Sequence, residues 1–332
     1  MLWVYQSGYD RLARAELEAR LGGAPVGGEG PGWVLRSEEP GRPAPEALRS
    51  LAFPHQVLLE PAKVTGESVN ALAAALLAWF LESLRGETVS APYSIWWEGP
   101  AEEVGLGRRI GAVQAAFEEA LKKRMSRIAR LAQPAAGPVL GPVRGIWVWF
   151  ADFKTAYASR TGWRNGQRRM ADDPLAPSRS YLKVEEAYGL LGREPAPGET
   201  VADLGAAPGG WSYSAAKRGA HVTAVDNGPL KAGAAANPRI DHRREDAFRF
   251  SPSGAAFDWL FCDLVEEPHH VLSSLVRPWI ERRWCRHFIV NVKFGRVDPL
   301  ALLDTLSASL PPGTLIRHLY HDREEFTLVG SP

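Results

Sequence analysis

The stretch "VADLGAAPGGWSYSAAKRGAHVTAVDNG", residues 201–228, decides the fold. An apolar segment runs into a turn of small residues, then a helix, then a second apolar segment. Outward from it the pattern repeats. Strand candidates are "TVADLG", "HVTAVD", "IDHRRE", "FDWLFCD", "HFIVNVK", "LIRHLYH" and "EFTLVG", with helices fitting at 182–191, 210–218, 268–284 and 298–309. Strands alternating with helices give an α/β sheet covered on both faces. Only "DREE" separates the last two strands, too little for a crossover helix, so they should pair antiparallel. The expected architecture is Rossmann-like: a seven-stranded, mostly parallel sheet with six strands running one way and a reversed last strand at its edge.

In such a sheet ligands sit beyond the carboxyl ends of the strands, which places one over the turn Gly205–Gly210. Small residues there allow close approach to the backbone. The turn lacks the G-x-G-x-x-G of a dinucleotide site and the Gly-Lys-Ser/Thr of a phosphate loop, and no lysine follows until Lys217. Acids end successive strands instead: Asp203, Asp226, Asp246 and Asp263. Carboxylates repel a pyrophosphate but suit hydroxyls, amines and a positive centre. S-adenosyl-L-methionine offers all of these, with Asp226 placed to accept from its ribose hydroxyls and Asp246 from its adenine amine.

Over 332 residues the composition is that of a soluble globular protein, 45% hydrophobic and 23% charged. The most apolar run, "ALAAALLAWFLESL" (71–84), is interrupted by Glu82 and falls short of the ~20 residues of a membrane span. The N-terminus has no signal-peptide pattern. Two cysteines, Cys262 and Cys285, form neither a disulfide framework nor a zinc cluster and suit a reducing cytoplasm. His269, His270 and His321 lack metal-ligand company, so no metal is expected.

The net charge of +1 hides an asymmetry. Residues 120–171 hold eleven basic side chains against one acid, Asp152, an electrostatic footprint for a polyanion. Lys122, Lys123, Arg124, Arg127 and Arg130 lie on one helix able to follow a phosphate backbone. Arg160, Trp163, Arg164, Arg168 and Arg169 combine guanidiniums with an aromatic ring, suited to phosphates and an unstacked base.

The first part of the chain reads as a ferredoxin-like α+β unit over 1–65. Its strands are "LWVYQ", "GWVLRS" and "HQVLLEPAKV", and its helices are "YDRLARAELEARLGG" and "APEALRSLA". Helices near 68–85 and 108–132, the loop "QPAAGPVLGPVRG" and the strand "IWVWFADFKTAYAS" make a second unit over 66–160. An aperiodic linker over 161–178 leads into the domain at 179–332.

"DLGAAPGGW" resembles the cofactor loop of the FtsJ-like ribose 2′-O-methyltransferases. The wider set "LAPSRSYLKVEEA", "VDNGPL", "REDAFRF", "CDLVEEP", "NVKF" and "LYHDREEFTLV" is closer still to the RlmM family, which modifies a cytidine of large-subunit (23S) ribosomal RNA. These segments follow the family's order over nearly all of residues 174–330. The N-terminal region resembles that family's ferredoxin-like unit and RNA-binding THUMP domain in layout.

The resemblance implies a Lys-Asp-Lys-Glu tetrad at Lys183, Asp263, Lys293 and Glu325, with Lys293 as the base for the 2′-hydroxyl proton. A protonated Lys293 that stabilises the alkoxide while water takes the proton is the competing role. The resemblance further implies cofactor contacts at Ser180, Ala207, Pro208, Gly209, Gly210, Asp226, Asp246 and Asp263, and naked or early-precursor 23S rRNA as partner. A tRNA or other rRNA 2′-O-methyltransferase, and a non-catalytic RNA-binding or assembly factor on the same fold, are the rival readings. The missing glycine fingerprint disfavours a nicotinamide oxidoreductase.

Overall fold

In the computed structural model, which describes residues 1–37, 43–134 and 141–332, the chain divides at residue 165 into two units. One is Met1–Leu48 with Phe53–Asn165, the other Arg49–Ala52 with Gly166–Pro332. Positions 135–140 of the proline- and glycine-rich loop lie outside the described residues.

The first unit runs β1 (Leu2–Val4), α1 (Asp10–Leu21), β2 (Val26–Gly30), β3 (Trp33–Arg36), α2 (Pro45–Ser50), β4 (Gln56–Leu59), β5 (Ala62–Thr65), α3 (Val69–Ser83) and β6 (Tyr93–Glu98). It continues through α4 (Leu106–Arg124), α5 (Ser126–Leu131), β7 (Ala132–Pro134), β8 (Val143–Phe150) and β9 (Thr155–Arg164). Its strands among the described residues form one sheet, β2-β3-β1-β4-β9-β8-β6-β7, with β5 also on β9. The regions 1–65 and 66–160 therefore share a sheet, joined where β4 and β5 pair with β9.

Two sequence-level strands each prove to be a pair. "HQVLLEPAKV" breaks at Glu60, whose φ is +50°, just before Pro61, which has no N–H to donate. "IWVWFADFKTAYAS" is a hairpin, because the Asp152 carboxylate accepts the N–H groups of Lys154 and Thr155 at 2.7 and 2.8 Å and folds the chain back. Residues 161–164, expected in the linker, end β9, where Trp163 is buried.

The apolar run 71–84 is a core helix. Ser68 caps α3 by accepting from the N–H of Ala71 at 3.1 Å. Leu72, Leu76 and Phe80, at i, i+4 and i+8, then pack with Val113 and Phe117 of α4 and with Ile146, Val148 and Phe150 of β8. Among the described residues no helix is long and apolar enough to cross a membrane.

The second unit contains α6 (Tyr181–Leu191), β10 (Thr200–Leu204), α7 (Gly210–Lys217), β11 (His221–Val225), α8 (Ala232–Ala235), β12 (Ile240–Arg243) and β13 (Phe257–Cys262). It continues through α9 (Pro268–Val271), a π-helical turn (Leu272–Val276), α10 (Arg277–Glu281), β14 (Cys285–Lys293), α11 (Pro299–Ser309), β15 (Leu315–Arg317) and β16 (Glu325–Gly330). The sheet order is β12-β11-β10-β13-β14-β16-β15.

Strands β10 to β14 are mutually parallel, and β16 is antiparallel to both neighbours. The hairpin between the last two strands is as expected. The position of the reversed strand is not: β16 inserts between β14 and β15 instead of closing the edge. Burial explains the order. All six residues of β16 are buried, as a strand flanked on both sides requires, whereas the three-residue β15 makes the short edge.

Candidate active site

Alternation along the strands selects the face on which the site is built. Phe261 of β13, Ile289 of β14 and Val329 of β16 pack in one core with Val184 and Ala187 of α6. Two residues on from Phe261 is Asp263, four on from Ile289 is Lys293, and four back from Val329 is Glu325. The same face therefore carries all three at the strand ends, and Lys293 and Glu325 are direct cross-strand partners. Helix α6 lays Lys183, itself buried, over them.

The four side chains close into a ring. Lys293 Nζ donates to Asp263 Oδ1 at 2.5 Å and to Glu325 Oε2 at 3.0 Å. Lys183 Nζ lies 2.5 Å from Glu325 Oε1 and 3.5 Å from Asp263 Oδ2. Two ammoniums thus alternate with two carboxylates, all mostly removed from solvent. Burial alone would lower the Lys293 pKa, but Asp263 and Glu325 outweigh it and raise it above the ordinary lysine value. Burial alone would raise Glu325, but Lys183 and Lys293 hold it down at about 2. A further donor, the Arg323 N–H, reaches Glu325 Oε1 at 3.1 Å.

The turn after β10 contains a cis Ala207–Pro208 bond and two left-handed glycines, Gly205 (φ +81°) and Gly209 (φ +103°). Protein atoms account for the glycines. A Cβ on Gly205 would lie 2.6 Å from Leu264, one on Gly209 2.5 Å from the Ala234 methyl, and one on Gly210 2.9 Å from Ser180 Oγ. Neighbouring chain segments therefore crowd the positions a Cβ would take, a reason for small residues here beside the expected approach of a ligand.

Asp226 anchors the turn, accepting the N–H of Ala207 at 3.0 Å on one oxygen and that of Gly228 at 2.7 Å on the other. Ser180 bonds Ser178 through its hydroxyl and, through its carbonyl, accepts the Trp211 indole N–H at 2.9 Å. Trp211 is buried core. Asp203 turns inward, holds the Ser212 hydroxyl at 2.6 Å and is pushed up to about 7 by burial. Asp246 is exposed, accepting the Phe248 N–H at 2.9 Å with Arg249 at 3.6 Å.

Of the basic residues, Lys122, Lys123, Arg124 and Arg127 are exposed on α4 and α5. Arg160 and Arg164 do not join them. Arg160 is held by Glu87 and the carbonyls of Gly145 and Ser83 and lies over the Phe80 ring at 5.1 Å. Arg164 stacks on Trp96 at 3.5 Å. Trp163 is buried, so the expected guanidinium–aromatic surface over 160–164 is corrected: alternation along β9 turned these side chains into packing. Arg168 and Arg169 are exposed on the second unit.

Four residues around the site escaped sequence reasoning. Glu186, one turn along α6 from Lys183, is fully buried. It accepts the N–H groups of Arg168, Tyr320 and His321 at 2.9, 2.9 and 3.2 Å, and burial pushes it up to about 8. Asn291, Thr327 and Asp322 are also buried. Their signal was an asparagine in the run "FIVNVK" and a threonine in "EFTLV", both in phase with the charged residues. Among the described residues no group of three or more His, Cys, Asp or Glu side chains is arranged to hold a metal.

Residues 176–278 match the FtsJ-like methyltransferase family. Over 363 residues the chain is 35% identical to the ribosomal RNA large subunit methyltransferase M of Alkalilimnicola ehrlichii, covering 99% of this chain and 94% of that protein. The protein of the same name from Chromohalobacter salexigens is 32% identical over 348 residues, covering 97% and 94%.

Proposed function

Since the chain belongs to the ribosomal RNA large subunit methyltransferase M family, we propose that it methylates the ribose 2′-hydroxyl of a cytidine in 23S rRNA, using S-adenosyl-L-methionine. The observation that carries this reading is the closed ring of Lys183, Asp263, Lys293 and Glu325 at the strand ends.

The residues beside the ring fit that cofactor by the chemistry of their donors. Asp226 is fixed by two backbone N–H groups, one on each oxygen. Each oxygen keeps a second lone pair, a match for the two ribose hydroxyls. Ser180 and the Ala207–Gly210 backbone line the adjoining turn; Asp246 would offer a carboxylate to the adenine amine and Asp263 one to the positive centre. When bound, the cofactor supplies a methyl carbon activated by its sulfonium.

The remaining work falls to the chain. A sugar hydroxyl is barely acidic, so the site must align its oxygen and stabilise the charge that develops as its proton leaves. Lys293 holds its own proton firmly between Asp263 and Glu325. We therefore read it as the donor that orients the 2′-oxygen and stabilises the nascent alkoxide, with water taking the proton. Lys183 ties Glu325 and Asp263 from the opposite side and keeps the ring neutral. The exposed cations of α4 and α5 and Arg168 and Arg169 meet RNA phosphates. Such a substrate, and two buried free thiols, fit the cytoplasm. The accessible 2′-hydroxyl argues for protein-free or early-precursor rRNA.

Protein-free 23S rRNA incubated with the protein and methyl-labelled cofactor should gain one ribose methyl on a cytidine. Label on a base, or on tRNA alone, refutes the reading.

A further inference from the structure

Beneath the ring, the α6 face of the sheet carries a second polar row. Asn291 and Thr327 are cross-strand partners two residues inward from Lys293 and Glu325. Both are 0% exposed, and Asp322 in the β15–β16 loop is 2% exposed. Thr327 Oγ1 sits 2.7 Å from Asn291 Oδ1 and 2.9 Å from Asp322 Oδ2, which also accepts the Leu319 N–H at 2.8 Å.

This row is costly. Asp322 Oδ1 has no hydrogen-bond partner among the described residues, and a buried unpaired polar atom loses its hydration without return. Apolar side chains continuing the Ile289–Val329 row would fill the same space without that penalty. What the polar row provides is a link to the ring. Asp322 bridges Leu319 to Thr327 and so pins the loop to β16. The next residue of that loop, Arg323, donates its N–H to Glu325 Oε1, the oxygen that Lys183 also holds. Glu186 grips the same loop through Tyr320 and His321.

We propose that Asn291, Thr327 and Asp322 are positioning residues, which fix the Leu319–Arg323 loop on β16 and thereby hold the Glu325 carboxylate between the two lysines. They touch neither substrate nor cofactor. Because the inference rests on the methyltransferase reading, its test must separate the two.

The variant is Thr327→Val, which keeps the shape and removes the hydroxyl, with Thr327→Ser as the conservative rescue. Single-turnover methyl transfer is measured per folded molecule, alongside cofactor affinity by calorimetry and the KM for protein-free 23S rRNA. Slight misplacement of a catalytic group costs up to about 10²-fold in rate, so Thr327→Val should lose on the order of 10- to 100-fold in the transfer step. Cofactor affinity and KM should stay within about twofold, and Thr327→Ser should recover most of the loss. Should Thr327→Val fold poorly, Asn291→Leu carries the same expectation. An unchanged rate per folded molecule in both variants, or serine failing together with valine, overturns the positioning role while leaving the activity standing. A wild-type protein that methylates no rRNA overturns the activity and the role with it.

Discussion

Glu325→Gln isolates the electrostatics of the ring with almost no change of shape. Glu325 has its pKa lowered from 4.5 to about 2 by Lys183 and Lys293, against the opposing effect of burial. At 1.36 kcal/mol per pH unit of displacement, ionised Glu325 stabilises the folded unit by about 3 kcal/mol near neutral pH. Because the folded value lies below the unfolded one, that contribution is complete above about pH 4.5 to 5 and disappears as pH falls through about 2; near pH 3 roughly 1.4 kcal/mol remains. Urea unfolding, followed by circular dichroism at a series of pH values, should show wild type ahead of Glu325→Gln by about that margin at neutral pH. The gap should close by roughly 2 kcal/mol on acidification to about pH 3. The amide variant also leaves two ammoniums facing one carboxylate, so the Lys293 pKa should fall. A stability gap that stays constant from neutral to about pH 2 would refute the argument, because a carboxylate not held by the lysines has no such acid dependence.

Lys293→Ala should lower the transfer rate by about 10²- to 10³-fold, the usual cost of removing one preorganised donor, with cofactor affinity by calorimetry nearly unchanged. Lys293→Arg separates the two roles of that residue: a permanently charged guanidinium can donate but not accept, so measurable residual transfer supports the stabiliser and none supports the base. Neutralising Arg124 and Arg127 should raise the KM for RNA and shallow its salt dependence by about one unit of log–log slope per lost phosphate contact. Arg160→Gln, whose side chain is held by Glu87 and packed on Phe80, should instead lower thermal stability. Cys262 and Cys285 are buried, and burial pushes each thiol up to about 12. A thiol-specific reagent should therefore react with neither in the native protein and with both after unfolding.

The sheet was legible in the sequence because strand periodicity is a local pattern, whereas the four ring residues were named by the family resemblance. Strand periodicity located the segment ends; Asp263 and Lys293 meet because β13 and β14 run parallel, and Glu325, at the start of β16, joins them because that strand runs antiparallel to β14. What stayed hidden depends on partners far along the chain. Gly205 and Gly209 take positive φ, and Leu264 and Ala234 crowd the positions their Cβ atoms would occupy; no local rule shows those neighbours. A count of cations over 120–171 treats Arg127 and Arg160 alike. Only Glu87, 73 residues from Arg160, shows that the second is a structural cation. The insertion of β16 was equally non-local: hairpin pairing with β15 was readable, but β16's second partner, β14, was not.

The polar row behind the ring completes this account, since it was readable and was passed over. Along β14 one face reads Ile289, Asn291, Lys293, and along β16 the same face reads Val329, Thr327, Glu325. Each series passes from apolar through neutral-polar to charged as it approaches the strand end. That order has a physical reason. Two ammoniums and two carboxylates cancel in net charge, but each still loses solvation on burial, and a hydrocarbon floor would leave the lone pairs of Glu325 to the lysines alone. An intermediate row of polar groups, tied to a loop that delivers the Arg323 N–H, gives the carboxylate a third donor beside the two lysines and a single orientation. A single-residue deletion in β16 between Glu325 and Thr327 would invert the phase of one element against the other. It should abolish transfer even though every ring residue is still present in the chain.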